Sequence, residues 1–173
     1  MRLTAHSQAS IINCVRNDCR RNFLCQDETM PAISRSLTVI MRCADSYRGK
    51  LLAPLGLTAC QAPYILYCCH RPGASQEQIA AWLHTSRSSA TRQLAALEEN
   101  GFITRSASPR DRRLTLVSPT EKARAAFPRI REINRAWQEA ITRGMDQAEQ
   151  DTLLKLLEMM RDQAVRLLEG EGA

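Results

Sequence analysis

Hydrophobic residues recur at helical spacing along most of the chain after residue 32. The first run follows steps of 4, 3, 4, 3 and 4 residues, the heptad pattern of a helix that packs on another helix. Its members are Ile33, Leu37, Ile40, Ala44, Tyr47 and Leu51. Because the run is too short for a free coiled coil, this helix is expected to pack on a partner helix, either in the same chain or in a second copy.

Two capping signatures predict the next two helices. A Ser or Thr followed three residues later by Gln is typical of a helix start, and such pairs lie at 58–61 and 75–78. They predict one helix over 57–69 and a short helix over 76–83. Pro63 is unfavourable inside the first of these, because proline lacks an N–H and clashes with the preceding turn.

A fourth helix, over 87–100, is predicted to be amphipathic. Thr85 and Ser86 are cap residues before it, and Gly101 is a typical C-terminal stop. The residues expected on its inner face are Ala90, Leu94 and Leu97. The third helix is joined to it by only a few residues, which favours the tight turn of a helix-turn-helix.

A β-hairpin is predicted after this helix. Two short segments, Phe102-Ile103-Thr104-Arg105 and Leu114-Thr115-Leu116-Val117, are interpreted as antiparallel strands. The segment between them, 106–113, is polar and basic, so it is expected to form the hairpin tip.

Two long helices are predicted at the C-terminal end. Residues 118–121 form a third capping signature with Pro119 at the first helical position, where a missing N–H costs nothing. Pro128 should kink this helix, and Gly144 should end it. Residues 146–149 cap the last helix, whose apolar stripe is Leu153, Leu157, Met160, Ala164 and Leu167.

This order of elements predicts a mainly α protein with a small β-hairpin wing, in which a winged helix-turn-helix core is flanked by long helices. The 173 residues, 44% hydrophobic and 24% charged, are typical of one ordinary globular domain. No apolar run approaches the length of a membrane span, so no membrane partner is expected. The seven cysteines follow no disulfide framework and no secretory signal is recognisable, so a reducing cytoplasm is predicted.

Positive charge is concentrated in the predicted helix-turn-helix and wing. The chain has a net charge of +6, and all but three of its 24 basic residues are arginines, which suit phosphates and guanine edges. Residues 85–113 hold six arginines against three acidic residues, a net charge of +3. This concentration is typical of a DNA-binding face. The alternatives are solvated arginines in an arginine-rich composition and a winged helix used for protein contacts.

The outer face of the fourth helix is small, polar and basic, as a helix in the major groove requires. Its residues are Arg87, Ser88, Ser89, Thr91 and Arg92. The hairpin tip adds Arg110, Arg112 and Arg113, which could reach an adjacent minor groove.

Residues 57–124 resemble the MarR family of bacterial transcriptional regulators. The matching segments are Leu57-Thr58-x-x-Gln61, Pro72-Gly73-x-Ser75-Gln76-Glu77-x-Ile79-Ala80, Arg87-Ser88-Ser89-x-Thr91-Arg92 with Leu94, Leu97-Glu98-Glu99 and Gly101, and Asp111-Arg112-Arg113 followed by Leu116-Val117-Ser118-x-Thr120-Glu121-Lys122. A weaker likeness extends over roughly residues 31–169. Pro63, Tyr64 and Cys68 depart from the residues typical of the family's second helix.

The resemblance implies a role for each DNA-facing residue and a homodimer on an inverted-repeat site. The polar residues of the fourth helix would enter the major groove, and Arg113 would be the wing arginine. Asp111 would hold Arg113 in place, and Arg112 would contact the DNA backbone nearby. The resemblance thus implies an N-terminal dimerisation helix (31–56), a DNA-binding domain (57–118) and C-terminal dimerisation helices (119–173). Residues 1–30 lie outside the resemblance and, lacking a sustained apolar period, are predicted to be a poorly ordered extension.

The resemblance also implies a ligand cleft between the dimerisation and DNA-binding parts, which would take a small aromatic or anionic effector. Candidates to line it are Tyr47, Arg48, Tyr64, Tyr67 and Cys68. Each of them could instead serve core packing or lie on the surface. Some members of the family sense oxidants through a cysteine near the first helix, which makes Cys43 a redox candidate; the adjacent Arg42 offers weak support.

No metal, cofactor or catalytic site is predicted. The three histidines are scattered, and Cys14, Cys19 and Cys25 do not have a zinc-ligand spacing. Cys68, Cys69 and His70 are adjacent on a helix and point in different directions, so they do not form a nucleophile–base pair.

The predicted function is therefore a dimeric, sequence-specific regulator of transcription that binds double-stranded DNA. It is expected to be a repressor that a ligand releases. The alternatives are an oxidant-sensing regulator, a protein-interaction winged helix and a thiol-dependent enzyme. Residues 1–29 have no apolar period, so they are expected to be dispensable, with Met30 as the translation start; the competing interpretation is a sensor arm carrying cysteines and arginines.

Overall fold

The computed structural model describes residues 31–109, 111 and 113–169. The expectations for residues 1–30, for Arg110 and Arg112, and for residues 170–173 lie outside the described residues. The elements are helices α1 (Ala32–Leu52), α2 (Ala62–His70), α3 (Gln76–Trp82), α4 (Arg87–Glu99), α5 (Glu121–Ile141) and α6 (Gln147–Glu169), with strands β1 (Ala74–Ser75), β2 (Ile103–Ala107) and β3 (Thr115–Pro119). A 3-10 turn, Ala53–Leu55, follows α1.

The described residues divide into two compact units, and the boundary falls at Arg135–Ala136 within α5. The first unit contains the hydrophobic core, to which α2, α3, α4, the sheet and the first half of α5 all contribute. Its largest fully buried side chains include Phe102, Ile65 and Ile79. Burying each such side chain contributes about 1.5–3 kcal/mol, so this unit has the core of a stable winged helix-turn-helix.

The inner face of α4 lies as the periodicity predicted. Ala90, Leu94 and Leu97 are at most 1% exposed. Ser86 caps the helix by accepting a hydrogen bond from the Ser89 N–H at 3.2 Å. Gly101 ends it with φ of 72°, a backbone conformation that favours glycine.

The sheet has three antiparallel strands in the order β1-β3-β2, where the sequence predicted only two. Strands β2 and β3 pair over five residues, from Ile103 opposite Pro119 to Ala107 opposite Thr115. The third strand, β1, is two residues long and pairs with β3 at Val117 and Leu116. A strand of two residues is too short to produce a period, so the sequence pattern missed it.

Two predicted helix starts were wrong. Helix α2 begins at Ala62 and not at residue 57, which places Pro63 in the first turn, where no N–H is needed. The Thr58 N–H donates to Gln61 Oε1 at 3.0 Å, but this contact belongs to a turn before the helix. Helix α5 begins at Glu121 because Ser118 and Pro119 are paired in β3.

Helix α1 is buried only over its C-terminal half. Ala44 and Leu52 are buried, and Tyr47 packs against the core cluster. Ile33 and Ile40, at the other end of the predicted stripe, are exposed.

Helix α6, in the second unit, carries a dense set of exposed apolar side chains. They are Leu153, Leu154, Leu156, Leu157, Met159, Met160, Leu167 and Leu168. Its start is capped reciprocally, since Asp146 Oδ1 accepts from the Glu149 N–H and Glu149 Oε2 accepts from the Asp146 N–H, both at 2.9 Å. Within the described part of the chain, no helix has the length and apolar character needed to cross a membrane.

Candidate nucleic-acid interface

Helix α4 presents its polar residues away from the core. Arg87, Ser88, Thr91 and Arg92 are exposed, and Ser89, whose N–H donates to the Ser86 cap, is half-buried. The Thr91 hydroxyl donates to the Arg87 carbonyl at 2.9 Å, so its methyl group and oxygen lone pairs remain available. One face of the helix thus fills the core, and the opposite face combines two arginines with short hydroxyl side chains.

Helix α3 is capped at its start, and its end is hydrogen-bonded to the turn that leads into α4. Ser75 Oγ accepts from the Gln78 N–H at 3.2 Å, and Gln78 Oε1 accepts from the Ser75 N–H at 2.8 Å, which completes the predicted capping box of α3. At the other end of α3, the Thr85 N–H donates to the Ala80 carbonyl at 3.0 Å. Burial raises the pKa of Tyr64, and a side-chain hydrogen bond with Thr85 opposes that shift. The start of α4 is therefore held against both α2 and α3.

The wing consists of β2, β3 and the connecting residues 108–114. The Ser108 N–H donates to the Leu114 carbonyl at 2.9 Å and closes the base of the connection. Ser108 is buried, and its hydroxyl accepts from the Asp111 N–H at 3.4 Å. Asp111 and Arg113 are exposed at the tip.

The described contact between Asp111 and Arg113 runs through the backbone. Asp111 Oδ1 accepts from the Arg113 N–H at 3.0 Å, which fixes the turn from which the arginine side chain projects. The acid therefore holds the main chain of Arg113, whereas the resemblance suggested only that it holds the residue in place.

Two residues that the sequence pattern did not single out connect α4 to the wing. Glu98 Oε2 lies 2.6 Å from an Arg105 guanidinium nitrogen, and Glu98 Oε1 accepts from the Arg105 N–H at 2.9 Å. The side-chain hydrogen bond from Arg105 lowers the pKa of Glu98. No local pattern links the pair, because the two residues are brought together only by the turn at Gly101.

The same corner is tied to the start of α5. Thr120 Oγ1 donates to the Gly101 carbonyl at 2.7 Å, and Lys122 Nζ donates to the Asn100 carbonyl at 2.8 Å. The Lys122 ammonium also lies 4.3 Å from the centre of the Phe102 ring. The end of α4, the wing and the start of α5 therefore form one braced corner.

Comparison with known proteins agrees with this arrangement. A family model described as "MarR family" matches residues 64–115, which run from α2 to the first residue of β3. The chain therefore carries a MarR-type domain over residues 64–115. Its relatives include the uncharacterized HTH-type transcriptional regulator YybA of Bacillus subtilis (strain 168), which is 29% identical over 76% of this chain and 88% of YybA.

Solved MarR-type structures share the fold over most of their length. The transcriptional regulator SlyA superposes with a TM-score of 0.78 at 29% identity, over 80% of this chain and 98% of SlyA. A MarR family regulator from Listeria monocytogenes, solved in complex with a 26mer DNA, superposes with a TM-score of 0.74 at 27% identity, over 83% of this chain and 99% of that protein. These relatives are transcriptional regulators, which confirms the prediction of a regulator and not an enzyme.

The five residues predicted to line a MarR-type effector cleft do not share one environment. Tyr47 and Arg48 are half-buried on α1, and the Arg48 Nε donates to the Ala44 carbonyl at 3.2 Å. Tyr64, Tyr67 and Cys68 are buried in the core cluster, and Tyr67 packs 5.0 Å from the ring of Trp82. Burial, with a smaller contribution from Cys69, raises the pKa of Cys68 to about 12, so this thiol stays protonated at neutral pH.

The described cysteines differ sharply in exposure. Cys43 is half-buried on α1, whereas Cys60, before α2, is exposed. The Cys60 sulfur lies 3.1 Å from Thr58 Oγ1 and 3.8 Å from Gln93 Oε1 on α4. The predicted helix over 57–69 would include Cys60, but the observed helix begins two residues after it, at Ala62. Among the described residues, no cluster of three metal-ligand side chains is present.

Proposed function

We propose that this protein is a homodimeric, sequence-specific DNA-binding repressor of transcription that acts in the cytoplasm. The observation that carries the proposal is the division of α4 into a fully buried apolar face and an exposed face made of Arg87, Ser88, Thr91 and Arg92. A helix with short polar side chains can approach base edges closely, and its arginines suit guanine and phosphate. The fold shared with the Listeria monocytogenes regulator solved with DNA supports this assignment.

The wing supplies a second contact in this proposal. Arg113 projects from a turn that Asp111 holds, at the exposed end of the hairpin. Arg110 and Arg112 add positive charge to the same segment of the sequence. A narrow minor groove attracts arginine through its negative potential, so the tip is suited to the groove next to the one that α4 enters.

The homodimer is proposed from the apolar side chains of α6. Leu157 and Met160 are each 40% exposed, and Leu168 is 85% exposed. Leu153, Leu157 and Met160 are spaced by 4 and 3 residues and so lie on one side of the helix. A large exposed apolar patch is uncommon on a monomer and marks a protein contact. A two-fold dimer would present two copies of α4 to half-sites about one helical turn apart, as an inverted-repeat operator requires.

Release of DNA by a small aromatic or anionic effector is part of the same proposal. Tyr47 and Arg48 are the half-buried residues of the predicted cleft set. Tyr47 supplies an aromatic ring, and Arg48 supplies a cation that lies 3.7 Å from the Asp45 carboxylate. Benzoate is a suitable first probe. It should weaken DNA binding by the wild type, and Arg48→Gln should reduce that effect; unchanged binding with benzoate and with simple phenols would contradict a ligand-released repressor.

The DNA-binding proposal is tested by selecting the preferred duplex from a random double-stranded library and titrating it at fixed salt. Arg92→Ala should weaken binding by about 1–3 kcal/mol. Arg131→Ala is the matched control, since Arg131 is an exposed arginine on α5 that contacts the Phe127 ring and is not on the proposed interface. Failure to select any duplex, or equal losses in the two variants, would contradict the proposal.

A further inference from the structure

His84 has a backbone conformation that normally calls for glycine. It lies in the turn between α3 and α4 with φ of 47°, and it alone among the described non-glycine residues has a positive φ. The Thr85 N–H donates to the Ala80 carbonyl at 3.0 Å, and the His84 N–H donates to the Ala81 carbonyl at 3.1 Å. These two bonds define a Schellman motif, in which the residue at the position of His84 is usually glycine.

The same Schellman motif occurs at the end of α4, where a glycine stands at the position that corresponds to His84. At the end of α4, the Phe102 N–H donates to the Leu97 carbonyl at 2.8 Å, and the Gly101 N–H donates to the Glu98 carbonyl at 2.9 Å. Gly101 occupies the corresponding position with φ of 72°. Glycine adopts this conformation without a steric penalty, whereas a residue with a Cβ is strained by it.

Packing does not account for the imidazole of His84. The residue is exposed, and within the part of the chain that the structure describes its ring makes no hydrogen bond, ion pair or ring contact. Non-glycine residues held in strained backbone conformations cluster at functional sites, so an exposed side chain on a strained backbone suggests a binding role. His84 lies two residues before Ser86, the N-cap of α4, and next to the exposed face that begins at Arg87.

We propose that His84 is a further DNA contact, in which an imidazole N–H donates a hydrogen bond to a phosphate oxygen beside the groove that α4 enters. This inference rests on the proposed DNA-binding function. A neutral imidazole carries one N–H donor, so the contact does not require a protonated ring. Phosphate contacts fix the register of a protein on the duplex and carry no base information, so the contribution of His84 should be the same for every sequence.

The test compares two substitutions that separate backbone strain from the contact. His84→Gly removes the strain and the donor, whereas His84→Lys keeps a positive-φ residue with a Cβ and supplies a different phosphate donor. Each variant is titrated with the duplex selected by the wild type and with a scrambled duplex, and its thermal midpoint is measured. Arg92→Ala is titrated in parallel to test the DNA-binding function itself.

His84→Gly should bind both duplexes about two- to tenfold more weakly, the effect of losing one hydrogen bond, with a thermal midpoint at or above that of the wild type. His84→Lys should bind both duplexes at least as tightly as the wild type. Its thermal midpoint should not rise, because lysine keeps a Cβ at the strained position. The inference is overturned if His84→Gly keeps full affinity or if its loss is confined to the selected duplex. If the wild type selects no duplex, both the DNA-binding function and the role of His84 are contradicted. If Arg92→Ala loses DNA affinity and His84→Gly does not, only the role of His84 is contradicted.

Discussion

Glu98 on α4 accepts two hydrogen bonds from the Arg105 side chain and main chain on β2, at 2.8 and 2.9 Å. Seven positions separate them in the sequence, and the Gly101 turn brings them together. The pair fixes the angle at which the first wing strand leaves α4. This carboxylate therefore helps to set the position of the wing relative to α4, together with the Thr120 and Lys122 contacts at the same corner.

Glu98→Gln should lower the free energy of unfolding at neutral pH by about 0.5–1 kcal/mol, since the pair is partly exposed and solvent weakens it. The lowered pKa of Glu98 means that its ionised form stabilises the fold. This stabilisation is complete above pH 4.5, the ordinary pKa of a glutamate side chain, and it is lost as the pH falls through the lowered pKa of Glu98. The difference between the two proteins should therefore shrink in acid.

Urea denaturation across this pH range measures the effect, with Glu99→Gln as the control. Glu99 is the exposed neighbour of Glu98 on α4. A wild type and a Glu98→Gln variant of equal stability at neutral pH would show that the pair contributes nothing.

Arg113→Ala should weaken binding to the selected duplex by about 1–3 kcal/mol and leave the thermal midpoint unchanged. The reason is that the Arg113 side chain is exposed at the wing tip while its main chain is held by Asp111. Asp111→Asn is the control, because an amide oxygen can still accept from the Arg113 N–H and should preserve the turn. Undiminished affinity in a mobility-shift titration of Arg113→Ala would argue against a wing contact.

Light scattering at micromolar concentration should give the mass of a dimer. Leu157→Glu places a charge on the exposed apolar face of α6 and should shift the mass toward the monomer, while Leu157→Met, which keeps the side chain apolar, should not. A monomeric wild type would refute the homodimer, and so would equal affinity for a full inverted repeat and an isolated half-site.

Two glycine-to-alanine changes should have opposite effects on stability. Gly101 has φ of 72° with open space around the position of a Cβ, so Gly101→Ala should destabilise the protein by about 1–2 kcal/mol through backbone strain alone. Gly49 lies inside α1, and the position of a Cβ there is also open, so Gly49→Ala should stabilise the protein by about 0.5–1 kcal/mol. Denaturant midpoints test both, and a shift of the same sign in the two variants would contradict the assigned conformations.

Thiol labelling of the native protein should separate Cys60 from Cys68. Cys60 is exposed, whereas Cys68 is 0% exposed with its pKa raised to about 12 by burial, so it supplies almost no thiolate at neutral pH. Mass spectrometry of peptides after brief treatment with iodoacetamide should show modified Cys60 and unmodified Cys68. Both should react in denaturant, and fast labelling of native Cys68 would place it outside the core.

Local signals in the sequence were sufficient to determine α4 and the existence of the wing. Apolar residues at positions 90, 94 and 97, the Ser86 cap and the Gly101 stop are all properties of one short segment, and each acts within a turn or two of helix. The basic hairpin could be predicted for the same reason. Two of the motifs that carry the family resemblance lie in these segments, and the MarR family model matches residues 64–115, which include α4 and most of the wing.

Tertiary structure decided the features that join distant segments. Strand β1 exists because Ala74 pairs with Val117, and α5 starts late because Pro119 pairs with Ile103. The same kind of long-range packing placed Tyr64, Tyr67 and Cys68 in the core cluster. Sequence periodicity reports which face of an element is buried, but it does not report which partner covers that face; that choice depends on contacts between residues far apart in the chain, which form only when the whole unit is packed.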